Sequence, residues 1–335
     1  MVKMRSAIIG CGDIAHVHAE SIRKLYPEGL AAVCDIVPDR AEEMSSLYGA
    51  KAYYDLDTML SEEAIDVLHI CTPHYLHTPM TIQALERGVH VFMEKPPVIN
   101  EEQWKELKLA VVRTEGKARL GLCFQNRFNK SVCYVKKKLE NGTYGKILGA
   151  RGLVTWSRDA QYYENSSWKG SWEKEGGGAL INQSVHTLDL LQYLIDQKPV
   201  SIKTVMDNQH LPGIIQVEDT VASYITYQDS RACFYAANSY AADVPPLIEL
   251  ECEKARVRIE DRTVTVWAQG KEKRELIFKE QDCTGKSYWG SGHLQCIHSF
   301  YESVEKGTKF SMDLPSMENT IWLLLKSYEI AEKPV

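Results

Sequence analysis

The residues most able to do chemistry gather in two short stretches. In EGGGALINQSVHTLDLLQYL, residues 175–194, Asn182, His186 and Asp189 recur at i, i+4 and i+7, which places side chains on one face of a helix. In VFMEKPP, residues 91–97, Glu94 and Lys95 follow directly on an apolar run. An ordinary imidazole titrates near neutral pH and can take a proton from a hydroxyl. An ammonium can hydrogen-bond the same oxygen and favour its anionic character. Asn182 can orient that hydroxyl but cannot accept its proton. Lys95, His186 and Asn182 are therefore the candidate catalytic set for chemistry at an alcohol carbon. Asp189 reads as a group that orients His186 or caps locally. Two plainer readings stand beside these: a Glu94–Lys95 ion pair at a strand end, and a core histidine at position 186. The glycines Gly176–Gly178 are expected to let the chain approach a ligand closely.

A hydride acceptor is suggested near the N-terminus. GCGDIA follows an apolar strand and opens a helix, as Gly10-x-Gly12-x-x-Ala15. Gly10 permits the tight turn and Gly12 lets the backbone approach a pyrophosphate. Asp13 and Ile14 begin the helix whose free N–H groups face the phosphates. Asp35 ends the second strand, where a carboxylate holds ribose hydroxyls and repels a 2′-phosphate, so NAD is expected rather than NADP. Arg40 follows closely and is the residue that would favour NADP instead. Ligands of open α/β sheets lie beyond the carboxyl ends of the strands. That adds Thr72, Pro73 and His77 of CTPHYLHTP, together with Glu94 and Lys95, to the cofactor set.

These residues need a scaffold. Through residue ~124 short β-rich runs alternate with helical patterns: strands at 5–10, 30–35, 50–54, 65–72, 89–94 and 118–124, helices at 13–26, 40–48, 78–87 and 101–113. Such alternation predicts a parallel sheet wrapped by helices, a Rossmann dinucleotide-binding domain over 1–123. Beyond it, a helix at 130–139 precedes strands at 147–157, 200–207, 219–227, 232–238, 247–252, 255–260 and 263–268. Alternating runs such as TVASYITY predict an α/β domain with a large, mostly antiparallel open sheet over 124–335. A last helix near 317–331 is expected to pack back on the first domain.

The second domain should supply the substrate contacts. Trp156, Tyr163, Trp168 and Lys169 cluster in one stretch with Arg158, and aromatic faces suit the C–H faces of sugar rings. Core or interface packing is the alternative for each ring. Asn126 and Arg127 end the run LGLCFQNR, and His293 heads a late helix; all three join the substrate set. His16 and His18, on the first helix, are either near the nicotinamide or solvated. No metal site is expected, because His74 and His77 lack a third ligand at convincing spacing.

Composition narrows the class. A net charge of −6 without a basic stripe argues against nucleic acid. Nine scattered cysteines without a CxxC pair suggest free thiols and a cytoplasmic protein. No apolar run of about 18 residues points to a membrane span.

GCGDIA, TPHYLH, EKPP, GGGALINQSVHTLDL and GHLQCIHSFYESVEKG fall in one order along the chain, and together they resemble the glucose–fructose oxidoreductase/inositol dehydrogenase (Gfo/Idh/MocA) family. The resemblance implies NAD(P)-dependent oxidation of a sugar, a polyol or a related alcohol. It implies a homodimer or homotetramer built on the open sheet. The family's catalytic lysine matches Lys95 and its histidine matches His186; an aspartate common four residues earlier is Asn182 here. Two alternatives remain. One is a glycoside-cleaving enzyme that transiently oxidises a ring hydroxyl, and the other is a dinucleotide-binding protein without catalysis.

Overall fold

A computed structural model describes residues 4–279 and 292–333, which divide into two compact units. The first begins β1 (Ser6–Ile9), α1 (Asp13–Leu25), β2 (Leu30–Cys34), α2 (Pro38–Tyr48), β3 (Lys51–Tyr53), α3 (Leu56–Glu62), β4 (Val67–Ile70), α4 (His74–Glu86), β5 (His90–Met93), α5 (Glu101–Arg113) and β6 (Leu120–Leu122). The strands form one parallel sheet in the order β3-β2-β1-β4-β5-β6. Every residue of β1 and β4 is buried, as helices on both faces require. The order reverses between β1 and β4, so GCGDIA and TPHYLH leave the sheet side by side at the switch point.

Local chemistry sets the helix ends. The Asn100 and Asp55 side chains accept from the backbone N–H of Gln103 and Thr58, capping α5 and α3. Helix α4 starts at His74, four residues before the expected start, despite Pro79 inside it. Pro79 cannot bond the Tyr75 carbonyl one turn back. Gln103 Nε2 donates to that carbonyl instead, at 3.3 Å.

The second unit holds α6 (Lys130–Glu140), β7 (Ile147–Thr155), α7 (Ala160–Glu164), α8 (Val185–Ile195), β8 (Pro199–Asp207), β9 (Thr220–Tyr227), β10 (Arg231–Ala237), β11 (Leu247–Cys252), β12 (Ala255–Glu260), β13 (Thr263–Ala268) and β14 (Arg274–Ile277). Its sheet runs β14-β13-β12-β11-β7-β10-β9-β8, antiparallel except for the β7–β10 pair. Helices α6 and α8 cover one face. Val221, Ile225, Val257 and Ile259 are buried, while Tyr224, Val205 and Leu148 are exposed. Charged residues are paired across the strands: Glu249 meets Arg151 at 3.0 Å and Arg258 at 2.8 Å.

Helices α9 (His293–Lys306) and α10 (Leu314–Ile330) follow. Residues 292–317 count with the first unit and 318–333 with the second. A single division at 123, with the last helix returning to the first domain, is thus corrected. The element that returns is α9, whose Tyr301 reaches Ser6 Oγ at 2.6 Å and His69 Nε2 at 2.8 Å. The short elements α3, α7 and β14 have too few residues for a period to declare itself.

Candidate functional site

In the first unit the glycine turn is built as a cradle. Gly10 has φ +87°, and a Cβ there would lie 2.7 Å from the Cys71 carbonyl, so no other residue fits. Gly12 caps α1, and a Cβ added to it would meet nothing within 4 Å. That open space lies against the first N–H groups of the helix, opened by exposed Asp13 and half-buried Ile14. Asp35 is buried at the end of β2 and accepts from Cys11 N at 2.8 Å and Val37 N at 2.9 Å. A carboxylate has about four lone-pair sites, so it retains acceptor capacity beyond the two amides that fix it. Arg40 is exposed on α2. Thr72 Oγ1 is buried with no hydrogen-bond partner among the described residues, and Pro73 caps α4 beside it. An open cradle, an anchored carboxylate and an orphaned hydroxyl suit a dinucleotide. Gly10, Gly12, Asp35 and Thr72 are the residues that would hold NAD.

His77 is placed otherwise than expected. It is fully buried, its ring nitrogens 2.7 Å from Pro96 O and 2.8 Å from Thr72 O. It braces the β4 end against the loop after Lys95 and has no nitrogen left for a cofactor. Burial lowers its pKa despite both carbonyls, so the ring is neutral and bonds one of the two at a time.

Behind Lys95 runs a buried chain of polar groups. Glu94 Oε2 accepts from Lys95 N at 3.2 Å, and Oε1 meets His18 Nε2 at 3.0 Å. His18 Nδ1 lies 2.8 Å from His69 Nδ1, and His69 continues to Tyr301 and Ser6. His293 Nε2 stands 4.0 Å from Glu94 Oε1. Burial pushes the Glu94 carboxyl up, but the hydrogen bond from His18 and the nearby positive charge outweigh it and hold Glu94 ionised. Burial depresses His69 strongly and His293 to about 4, so both rings are neutral. His18, expected near the nicotinamide or in solvent, is not solvated but fully buried. His293, expected to contact substrate, is buried against this chain instead. His18, Glu94 and Cys123 could together hold a metal ion by proximity, although their polar atoms are engaged with one another or with neighbours. The Glu94–Lys95 reading as a simple ion pair is replaced by an anchored carboxylate that fixes the Lys95 backbone.

In the second unit the polar row of residues 182–189 is split. A π-helical turn, Ala179–Gln183, precedes α8, so Asn182 and His186 do not share one regular helix. Asn182 Nδ2 donates to Glu175 Oε1 at 2.6 Å. Asp189 neither orients His186 nor caps: it takes Arg127 through both oxygens, at 2.8 and 2.5 Å, and Thr320 Oγ1 at 2.9 Å. Arg127, expected to bind substrate, is thereby held in a buried ion pair. Asn182 and His186 are the half-buried members of the row. Gly177 and Gly178 serve the protein's own packing. A Cβ on Gly178 would lie 2.0 Å from Glu218 O, and one on Gly177 2.1 Å from Tyr328 Oη.

The aromatic stretch divides in the same way. Trp156 is buried, with Nε1 donating to Val244 O at 3.0 Å, and Tyr163 packs with Leu211, Ile215 and Val217. Both are core residues rather than ring platforms. Arg158 is paired with Asp243 at 2.9 Å. Trp168 and Lys169 are half-buried, with Lys169 Nζ 3.8 Å from the Tyr162 ring centre. Asn126 Oδ1 is buried and unsatisfied among the described residues. The sequence pattern missed Glu175 and Glu218, whose carboxyls accept from the backbone N–H groups around the glycine run. The only signal was a glutamate directly before three glycines.

Residues 4–122 match the model of the oxidoreductase family with an NAD-binding Rossmann fold, and residues 132–258 match the GFO/IDH/MocA C-terminal domain. The chain belongs to the GFO/IDH/MocA family. Its similarity to D-glucoside 3-dehydrogenase of Escherichia coli (strain K12) is 34% identity over 196 residues, 57% of this chain and 54% of that enzyme. With scyllo-inositol 2-dehydrogenase (NAD(+)) of Bacillus subtilis (strain 168) it shares 27% identity over 236 residues, 69% and 66% of the two chains. The match to the glucoside enzyme thus spans little more than half of that relative. Among solved structures, the WlbA dehydrogenase from Bordetella pertussis in complex with NADH and UDP-GlcNAcA superposes with TM-score 0.84 and 26% identity over 98% of this chain and 96% of that one. The GFO/IDH/MocA assignment agrees with the parallel sheet of the first unit and the eight-stranded sheet of the second. No described helix is long and apolar enough to cross a membrane.

Proposed function

We propose that this protein is an NAD-dependent oxidoreductase that acts on a secondary hydroxyl of a sugar, polyol or sugar derivative. The carrying observation is the anchored strand end of the first unit: Glu94, ionised and held by His18, fixes the backbone of Lys95 at the same sheet edge as the open glycine cradle. Relatives named as glucoside and inositol dehydrogenases support the substrate class. NAD, when bound, accepts the hydride. The chain's own groups handle the proton: Lys95 donates a hydrogen bond to the hydroxyl oxygen, His186 takes its proton, and Asn182 orients it. Trp168, Lys169 and Asn126 are the substrate contacts that remain after Trp156, Tyr163, Arg127 and His293 are assigned to packing. The test is NADH formation across aldoses, inositols, sugar acids and nucleotide sugars. Net NADH with at least one class is expected. Glycoside cleavage without net NADH would replace this reading with the transient-oxidation one. NAD binding without turnover on any of them would leave a dinucleotide-binding protein.

NAD is expected to bind more tightly than NADP, because Asp35 is an acceptor-only carboxylate. A hydrogen bond to a charged group contributes roughly 1.5–3 kcal/mol, so the preference should be about tenfold or more. Asp35→Ser should narrow it and weaken NAD itself, since Cys11 N and Val37 N lose their acceptor. Equal or tighter NADP binding by the parent protein in a fluorescence titration would move Arg40 into the deciding role.

The working form is proposed to be a homodimer or homotetramer, located in the cytoplasm and formed through the open face of the second unit's sheet. Exposed Val205, Tyr224 and Leu148 on the strands support it. Light scattering at micromolar concentration should show a multiple of the chain mass; a monomer there removes this part.

A further inference from the structure

The helix that carries His186 begins in an irregular turn, and side chains from far along the chain hold it. Ser184 N donates to Ala179 O at 3.0 Å, five residues back, which makes Ala179–Gln183 a π-turn. Such turns are rare and frequent at functional sites, and strained backbone persists only where its surroundings over-determine it.

A helix start leaves four backbone N–H groups without partners inside the helix. Here the four successive N–H groups of residues 178–181 find their acceptors on two residues. Gly178 N donates to Glu218 Oε2 at 2.9 Å, Ala179 N to Glu218 O at 3.0 Å, and Leu180 N to Glu218 Oε1 at 2.9 Å. Ile181 N donates to Tyr328 Oη at 3.2 Å, and Tyr328 itself donates to Glu218 Oε1 at 2.8 Å. Glu218, just before β9, is wholly buried. The Tyr328 ring, from α10, is braced edge-on by Trp172 with ring centres 5.7 Å apart. On the carbonyl side, Ser184 Oγ lies 2.8 Å from Ala179 O and 3.2 Å from Leu180 O. All of these residues belong to the second unit.

A π-turn holds one residue more than an α-turn. Relaxing it to α geometry would rotate the chain before Ser184 by about 100° relative to α8. Asn182 lies before that point and His186 after it. The turn therefore sets the direction of Asn182 relative to His186.

We propose that Glu218 and Tyr328 are positioning residues that clamp the π-turn and so hold Asn182 at the angle to His186 at which both meet one substrate hydroxyl. The proposal rests on the roles given to Asn182 and His186 above. Glu218→Gln keeps the side-chain size but offers one acceptor oxygen in place of two, so either Gly178 N or Leu180 N loses its partner. Tyr328→Phe keeps the ring against Trp172 and removes the acceptor of Ile181 N.

Two measurements test it. The first is amide hydrogen exchange in the free protein. Residues 178–184 should exchange roughly tenfold faster or more in Glu218→Gln, and less so in Tyr328→Phe, while the strands of the second unit keep parental rates. The second uses the panel sugar with the fastest NADH formation. Glu218→Gln should lower kcat roughly tenfold or more, with KM for the sugar and NAD affinity little changed. Asn182→Ser should lower it about as far, and the double variant no further, because the clamp acts through Asn182. Losses that multiply in the double variant overturn the positioning role and leave Glu218 a purely structural residue. Parental exchange at residues 178–184 in both single variants overturns the clamp itself. If no panel sugar is turned over, the proposed function fails and the positioning role with it, while the exchange arm separately decides whether Glu218 and Tyr328 hold the turn.

Discussion

Lys95→Ala and His186→Ala should each lower kcat by about two orders of magnitude or more, with NAD affinity little changed. A general base contributes roughly 10²–10⁴ in rate, and an oriented donor to a developing oxyanion roughly 10²–10³. The expectation is sharper for Lys95 than residue type alone would make it, because its backbone is fixed through Glu94. That support supplies a control. Glu94→Gln keeps the size and an acceptor for Lys95 N but removes the charge that His18 meets at 3.0 Å. It should lower kcat less than Lys95→Ala does. If His186 is the base, His186→Ala also removes the acidic limb of the pH profile of kcat/KM. Near-parental kcat with that limb intact would make neutral Lys95 the next candidate and reduce His186 to a pocket wall.

The sequence was most informative where periodicity and backbone chemistry coincide. The strand–glycine–helix unit at Gly10 was legible because only glycine tolerates φ +87° against the Cys71 carbonyl, and a helix N-terminus follows at once. The alternating runs of the second unit were legible because one face of its sheet is covered and the other open. Partner choice was not. Asn182, His186 and Asp189 look like one polar row, but a π-helical turn intervenes and each neighbour has its own partner, Glu175 for Asn182 and Arg127 for Asp189. Side-chain pairing over 62 residues, as between Arg127 and Asp189, leaves no local trace in the chain. The three glycines show the same limit. Gly177 and Gly178 do mark close approach, to Tyr328 and Glu218 O, residues far along the sequence. His77 and His293 looked like ligand contacts because a histidine carries no sign of burial in its flanking residues.

Stability of the second unit should fall as pH rises from about 6.5 to about 8, and Glu175→Gln should flatten that fall. Burial raises Glu175 to about 8 and Glu218 to about 7. An unfolded glutamate titrates near 4.3, so between the two values the folded state binds more protons than the unfolded one, and stability declines with pH. The buried histidines act with the opposite sign. His293 is depressed to about 4 in the folded state, so its contribution is lost as pH falls from about 6.5 toward 4. It lies in the first unit and is silent above 6.5. The window from 6.5 to 8 therefore isolates the glutamates, and above about 7 it isolates Glu175. One proton of difference amounts to about 1.4 kcal/mol per pH unit, so Glu175 alone should account for roughly 1–2 kcal/mol across the window. Chemical denaturation of the parent and Glu175→Gln at several pH values measures it. Parallel curves for the two proteins would show that Glu175 is already ionised in the folded state at pH 6.5, and that Asn182 is held by a carboxylate throughout.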